Sequence, residues 1–109
     1  MPAKTIAVSF EIDALAKKKK KERIRITVSS PYSKKTGEWA CLFELRGSQE
    51  EDEKHEYYGA DGLQALLLNL FYLRSVLRRL RKKDYRFHEV EGGAEINPEM
   101  YFDVFSKPA

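Results

Sequence analysis

The sequence predicts an α+β domain: a four-stranded antiparallel sheet in meander order, one long helix packed on it, and a short C-terminal helix. Three observations carry that prediction. Three stretches before residue 47 alternate apolar and polar residues, the period of a half-buried strand, and a fourth, Lys54 to Tyr58, is short and aromatic. Residues 60–83 instead place leucines at three- and four-residue steps, the period of a helix. The links between the strand stretches are short, which favours antiparallel neighbours over crossovers. With 109 residues, 42% hydrophobic and 34% charged, the chain is expected to form one domain, 1–109, whose core needs neither metal nor disulfide.

The elements follow in order. Ile6, Val8, Phe10 and Ile12 alternate with Ala7, Ser9 and Glu11, giving a first strand over 5–12. Asp13 to Glu22 carries five consecutive lysines, Lys17 to Lys21, whose mutual repulsion suits a solvated hairpin tip. Ile24, Ile26 and Val28 form the inward side of a second strand. Ser30 to Gly37 reads as a loop, and a third strand over 38–46 points Trp39, Cys41, Phe43 and Leu45 to one side. An acidic turn over 47–53 precedes the fourth strand, and Gly59 releases the chain into the helix. Asp61 with Gln64 is a helix-start signal, and Arg78, Arg79, Arg81, Lys82 and Lys83 suit the negative end of the dipole. Leu63, Leu66, Leu67, Leu70, Leu73, Leu77 and Leu80 are assigned to the buried stripe. Asp84 to Val90 is a loop or a short extra strand. Asn97-Pro98-Glu99 starts a short helix over 98–105, with Met100, Tyr101, Val104 or Phe105 against the body.

The stretch Trp39-Ala40-Cys41-Leu42-Phe43, an acidic spacer, and Gly59-Ala60-Asp61-Gly62-Leu63-Gln64-Ala65-Leu66 together carry a resemblance. They resemble a group of small uncharacterised bacterial proteins in which a Gly-x-Asp-x-x-Gln-Ala-Leu segment follows a small antiparallel sheet. The likeness covers about Ile24 to Leu77 and implies the fold. It implies no activity, so no catalytic residue is carried over.

Chemistry is sparse. Cys41 and His55 lie on neighbouring strands, the minimum for a thiolate–imidazole pair, but Cys41 is in phase with core residues and reads as a small hydrophobe. A zinc site would need Cys41, His55 and His88 together with a carboxylate, at spacings that match no zinc motif. Asp61 is accounted for as a cap, and Glu50, Glu51, Asp52 and Glu53 lack the spacing of a calcium loop. No phosphate-cradling glycine loop, GxSxG or HExxH occurs. The expectation is therefore no catalytic, cofactor or metal residues and no small-molecule substrate. One cysteine, no signal-peptide pattern and no long apolar run lead to an expected cytoplasmic protein outside the membrane.

Two binding readings remain. The helix is apolar beyond one stripe, and Leu68, Phe71, Tyr72 and Val76 are expected either to be covered by the tail around Met100 to Phe105 or to form a protein interface, toward a dedicated partner or a second copy. The alternative is nucleic-acid or anionic-surface binding. Net charge is +3, arranged in blocks of +6 (1–48), −5 (49–61), +6 (62–86) and −4 (87–109). Lys17, Lys18, Lys19, Lys20 and Lys21 with Arg74, Arg78, Arg79, Arg81, Lys82 and Lys83 would supply that patch, Tyr32 or Tyr85 stacking on bases.

Overall fold

The computed structural model of the chain describes residues 5–16, 20–48 and 52–105, the side chains of 103–105 excepted. The elements run β1 (Ile6–Leu15), β2 (Glu22–Ser29), β3 (Tyr32–Ser33), β4 (Trp39–Arg46), β5 (Glu53–Gly59), α1 (Gly62–Lys82), β6 (Arg86–His88), β7 (Glu95–Ile96) and a terminal 3₁₀ helix (Pro98–Phe105). The expected α+β architecture is present, with α1 lying over β4 and β5. The meander is present too: β1 pairs β2, β2 pairs β4, and β4 pairs β5, all antiparallel.

The sheet does not stop at four strands. It has seven, because β3 continues the line of β2 along β4, and because β6 and β7 extend the far side of β1. These additions are two or three residues long, too short to show a period-two pattern in the sequence. Of the stretch left open as loop or strand, Arg86–His88 is strand. The C-terminal helix forms as 3₁₀, with the Met100 N–H on the Asn97 carbonyl at 3.0 Å. There Met100 and Tyr101 are exposed, and Phe102 packs on the core. Lys17, Lys18, Lys19, Glu50 and Glu51, and the side chains of Val104 and Phe105, lie outside what is described.

Both ends of α1 are closed by local chemistry. The Gln64 N–H donates to Asp61 Oδ1 at 2.8 Å, and the Ala60 N–H donates to Gln64 Oε1 at 2.6 Å, a variant of the capping box in which the glutamine reaches the amide one residue before the N-cap. Gly59 makes the approach possible: a Cβ there would stand 2.6 Å from the Ala65 nitrogen. At the other end Asp84 adopts φ 68, the Tyr85 N–H reaches the Leu80 carbonyl at 3.1 Å, and the Asp84 N–H reaches that of Arg81 at 3.0 Å. This is a Schellman ending with Asp where Gly is usual.

The core lies between the inner face of the sheet and α1. Ile12, Ala14, Ile24, Ile26, Val28, Cys41, Phe43, Leu45 and Phe87 meet Ala65, Leu73, Val76, Leu77 and Leu80, with Tyr85 closing the end. Trp39, expected inward, sits part-exposed at the rim near Pro31 and Gly62.

The helix phase differs from the leucine count. Asn69 is fully buried, and its Nδ2 donates to the Cys41 carbonyl at 3.0 Å. The contact falls where β2 gives way to β3. There the Leu42 N–H is taken by Ser29 Oγ at 2.8 Å and the Cys41 thiol donates to the Ser29 carbonyl at 3.1 Å. The line Ala65, Asn69, Leu73, Val76, Leu80 faces the sheet, and Leu63 and Leu67 consequently turn outward. A polar side chain thus sits in the middle of the buried face.

Candidate functional site

The sequence-flagged chemistry disperses in the fold. Cys41 stands opposite Tyr57 and His55 opposite Phe43 in the β4–β5 ladder, so thiol and imidazole belong to different pairs. The thiol is wholly buried, and burial pushes it up from its usual range against its hydrogen bonds with Ser29 and Asn69. A thiol held protonated and sealed is no nucleophile. His55 belongs to an aromatic cluster: Tyr72 is 5.1 Å away, and Tyr72 also packs edge-on against Phe43 at 5.4 Å. Among the described residues no group of three His, Cys, Asp or Glu side chains gathers to hold a metal ion. No helix among them is long and apolar enough to cross a membrane.

The basic residues are brought near one another and then divided. Because β6 pairs with β1, the Leu15–Ala16 end of the first hairpin lies beside the end of α1. A cavity of about 590 Å³ opens there, lined in part by Leu15, Ala16, Arg81, Arg86 and Glu95. Around it, anions meet the cations. Glu99, buried on the terminal helix, accepts from Arg78 Nε at 2.9 Å and from Arg81 Nε. Burial alone would raise its pKa, but those guanidinium hydrogen bonds outweigh it and hold Glu99 below the usual carboxylate range. Asp13, buried on the outer face, pairs with Arg23 at 3.0 Å and Lys21 at 3.7 Å. Arg79 turns to the other flank, 5.6 Å over the Tyr72 ring. Tyr32 does not stand ready to stack. Its hydroxyl donates to Glu56, which also accepts from Tyr58 at 2.6 Å and pairs with Lys34 at 3.1 Å. The Tyr32 and Tyr58 hydrogen bonds, with Lys34 adding its charge, lower Glu56 to about 2. Tyr85 is in the core, 1% exposed.

The surface that the fold leaves open is apolar. On α1, Leu63 is 67% exposed, Leu67 43%, Leu68 41% and Phe71 61%, spaced so that they share the solvent side of the first three turns. On β1, Val8 is 38% exposed, because α1 covers β4 and β5 and leaves the start of β1 bare, and Ile6, across the bulge on the face of Ser29, is 57% exposed. Leu66 and Leu70, only partly buried, lie on the helix flank opposite Tyr72, hence toward β2 and β1. Of the interface expected from sequence, Leu68 and Phe71 are on this surface. Tyr72 is half-buried in the aromatic cluster and Val76 is fully buried, so neither fronts it. Leu63 and Leu67, expected in the buried stripe, are on it instead. The signal that would have exposed the two leucines is Asn69, in step with Ala65, Leu73, Val76 and Leu80.

A family model described as a domain of unknown function (DUF6968) matches residues 9–94. That span exceeds the Ile24–Leu77 likeness on both sides, taking in the first hairpin and β6, and it stops before the terminal helix. Neither a curated protein nor a solved structure matches the chain significantly. The match runs from within β1 to just before β7, and the chain belongs to the DUF6968 family of uncharacterised domains.

Proposed function

We propose that this domain is a non-catalytic protein-interaction module that docks partners on the apolar surface of α1 and the bare start of β1. The observation that supports the reading is the run Leu63, Leu67, Leu68 and Phe71, four large apolar side chains exposed together on one helix. Exposure of that kind is unfavourable in isolation, at about 25 cal/mol per Å² left in water, and a contiguous patch of it is characteristic of a binding surface. With Ala65, Asn69, Leu73, Val76 and Leu80 facing the sheet, the exposure follows from the helix phase. The test is a photo-crosslinking residue at Leu67, with the same residue at Lys54 as control, in cells that express the protein natively. A discrete adduct from position 67 and none from 54 is the expected result. No adduct at 67 would overturn the reading.

A second reading, binding of nucleic acid or an anionic surface, draws on the nearness of the Leu15–Ala16 hairpin end to the end of α1. The pairing of Arg78 and Arg81 with Glu99, and of Lys21 with Asp13, weighs against it. If it holds, replacing Lys17 to Lys21 by Gln lowers oligonucleotide affinity and flattens its salt dependence.

A further inference from the structure

We infer that the occupant of the bare part of β1 is β1 of a second copy of this chain, paired antiparallel about a two-fold axis at Ser9. The inference rests on the interaction reading above and names the partner for one part of that surface. β1 pairs with β2 along one side from Ile6 to Ala14, whereas β6 reaches only Asp13, Ala14 and Leu15 on the other. Among the described residues nothing pairs with the second side of Ile6–Ile12. Every second residue there directs its N–H and C=O outward, away from β2. Natural sheets blunt such an edge with proline, lysine, inward charge or a β-bulge. Ile6–Ile12 contains no proline or lysine, its bulge against β2 lies at the strand end between Ile6 and Val8, and Val8–Ile12 runs in regular register.

The edge is self-complementary. A two-fold axis at Ser9 sets Ser9 against Ser9 and Val8 against Phe10. It also sets Ala7 against Glu11, while the bulge between Ile6 and Val8 turns Ile6 to the outer face with its partner Ser29, away from the apolar side of the seam. Val8 and Phe10 point to the inner face with Ile12, so the seam buries the part-exposed Val8 and Phe10 of both copies. Glu11, the one charge in the stretch, already pairs with Arg25 at 2.9 Å and faces alanine across the seam. No like charges meet. The length fits as well: a partner strand spanning Ile6 to Ile12 ends opposite Ile12, one residue before His88 takes up the edge at Asp13. Two sheets then become one, and the exposed Leu63 and Leu67 of both copies rise on either side of the seam.

The experiment is cysteine trapping of the full chain, with diamide as oxidant and non-reducing electrophoresis as readout. Opposed residues of an antiparallel pair have Cα atoms about 4.5–5.5 Å apart, within the Cα span of a disulfide, and the native Cys41 is sealed in the core. Ser9→Cys is expected to give a covalent dimer and Ala7→Cys is not. Light scattering of the unmodified chain is expected to read twice 12.7 kDa. Val8→Lys, a change at a part-exposed position, is expected to return it to the single mass with unchanged circular dichroism. A monomer at all concentrations, a dimer indifferent to Val8→Lys, or equal trapping at Ala7 and Ser9 would overturn the proposal. A Leu67 adduct alongside any of these would leave the broader reading standing, with another protein as its partner.

Discussion

The two halves of α1 are finished differently. The second half buries Leu73, Val76, Leu77 and Leu80, and the terminal 3₁₀ helix covers its flank and neutralises Arg78 and Arg81 through Glu99. The first half buries only Ala65 and Asn69 completely and leaves Leu63, Leu67, Leu68 and Phe71 in water. One continuous helix is thus held by apolar packing at one end and positioned by a polar contact at the other. Burial and exposure are separated along its length: the C-terminal turns carry most of the apolar packing, and the N-terminal turns carry the exposed leucines and Phe71.

The sharpest way to break this contrast is to truncate one leucine in each half. Leu77→Ala removes a side chain that is 1% exposed and is expected to cost about 3 kcal/mol in urea unfolding, whereas Leu67→Ala is expected to stay within about 1 kcal/mol. Equal losses would show that the first half is packed as tightly as the second. Asn69→Ala comes next, at about 1–3 kcal/mol. It removes the amide that reaches the Cys41 carbonyl, although the unpartnered Asn69 Oδ1 already offsets part of what that contact contributes. If Asn69 sets the helix rotation, the variant also changes the protection of an engineered cysteine at position 67. Unaltered protection there would remove Asn69 from that role.

Glu99→Gln is expected to have the smallest effect, about 1–2 kcal/mol at neutral pH, and it carries a pH signature. The folded pKa of Glu99 lies below its ordinary value of 4.5, so its contribution is complete above about that pH. The contribution is lost as pH falls through the folded value. The gap in stability between the native chain and Glu99→Gln should therefore narrow on acidification below 4.5. A gap that is constant with pH would mean that the carboxylate charge is not what secures the terminal helix.

The legible parts of the fold were those written in period and in caps. The β1–β2–β4–β5 meander and the helix, with Asp61 and Gln64 at its start, follow from local pattern because each segment is long enough to repeat it. The short strands β3, β6 and β7 depend on tertiary pairing and have no period to show. The phase of α1 was misread for a physical reason. Counting leucines treats a polar residue as outward, yet Asn69 faces a break in the β2–β3 line where a backbone carbonyl needs a donor. That single inversion placed Leu63 and Leu67 inward and Val76 outward. The basic blocks were visible as sequence, but their pairing with Glu99, Asp13 and Glu95 depends on which strands and helices are brought side by side and was not.

The pairing of Leu15 with Arg86 bears on the order in which the chain folds. β1, β2, β4 and β5 each find their partner in the next long strand, and α1 docks on the strands just before it, so these contacts close small loops. β6 must instead return across the whole meander and helix to reach β1, the contact of largest loop-closure entropy and the expected last step of assembly. Until that step is complete, β1 presents an open edge along its entire length rather than from Ile6 to Ile12 alone. A nascent chain still lacking β6 is accordingly the species most exposed to strand exchange with its neighbours, and the short β6–β7 hairpin serves as the fold's late guard against it.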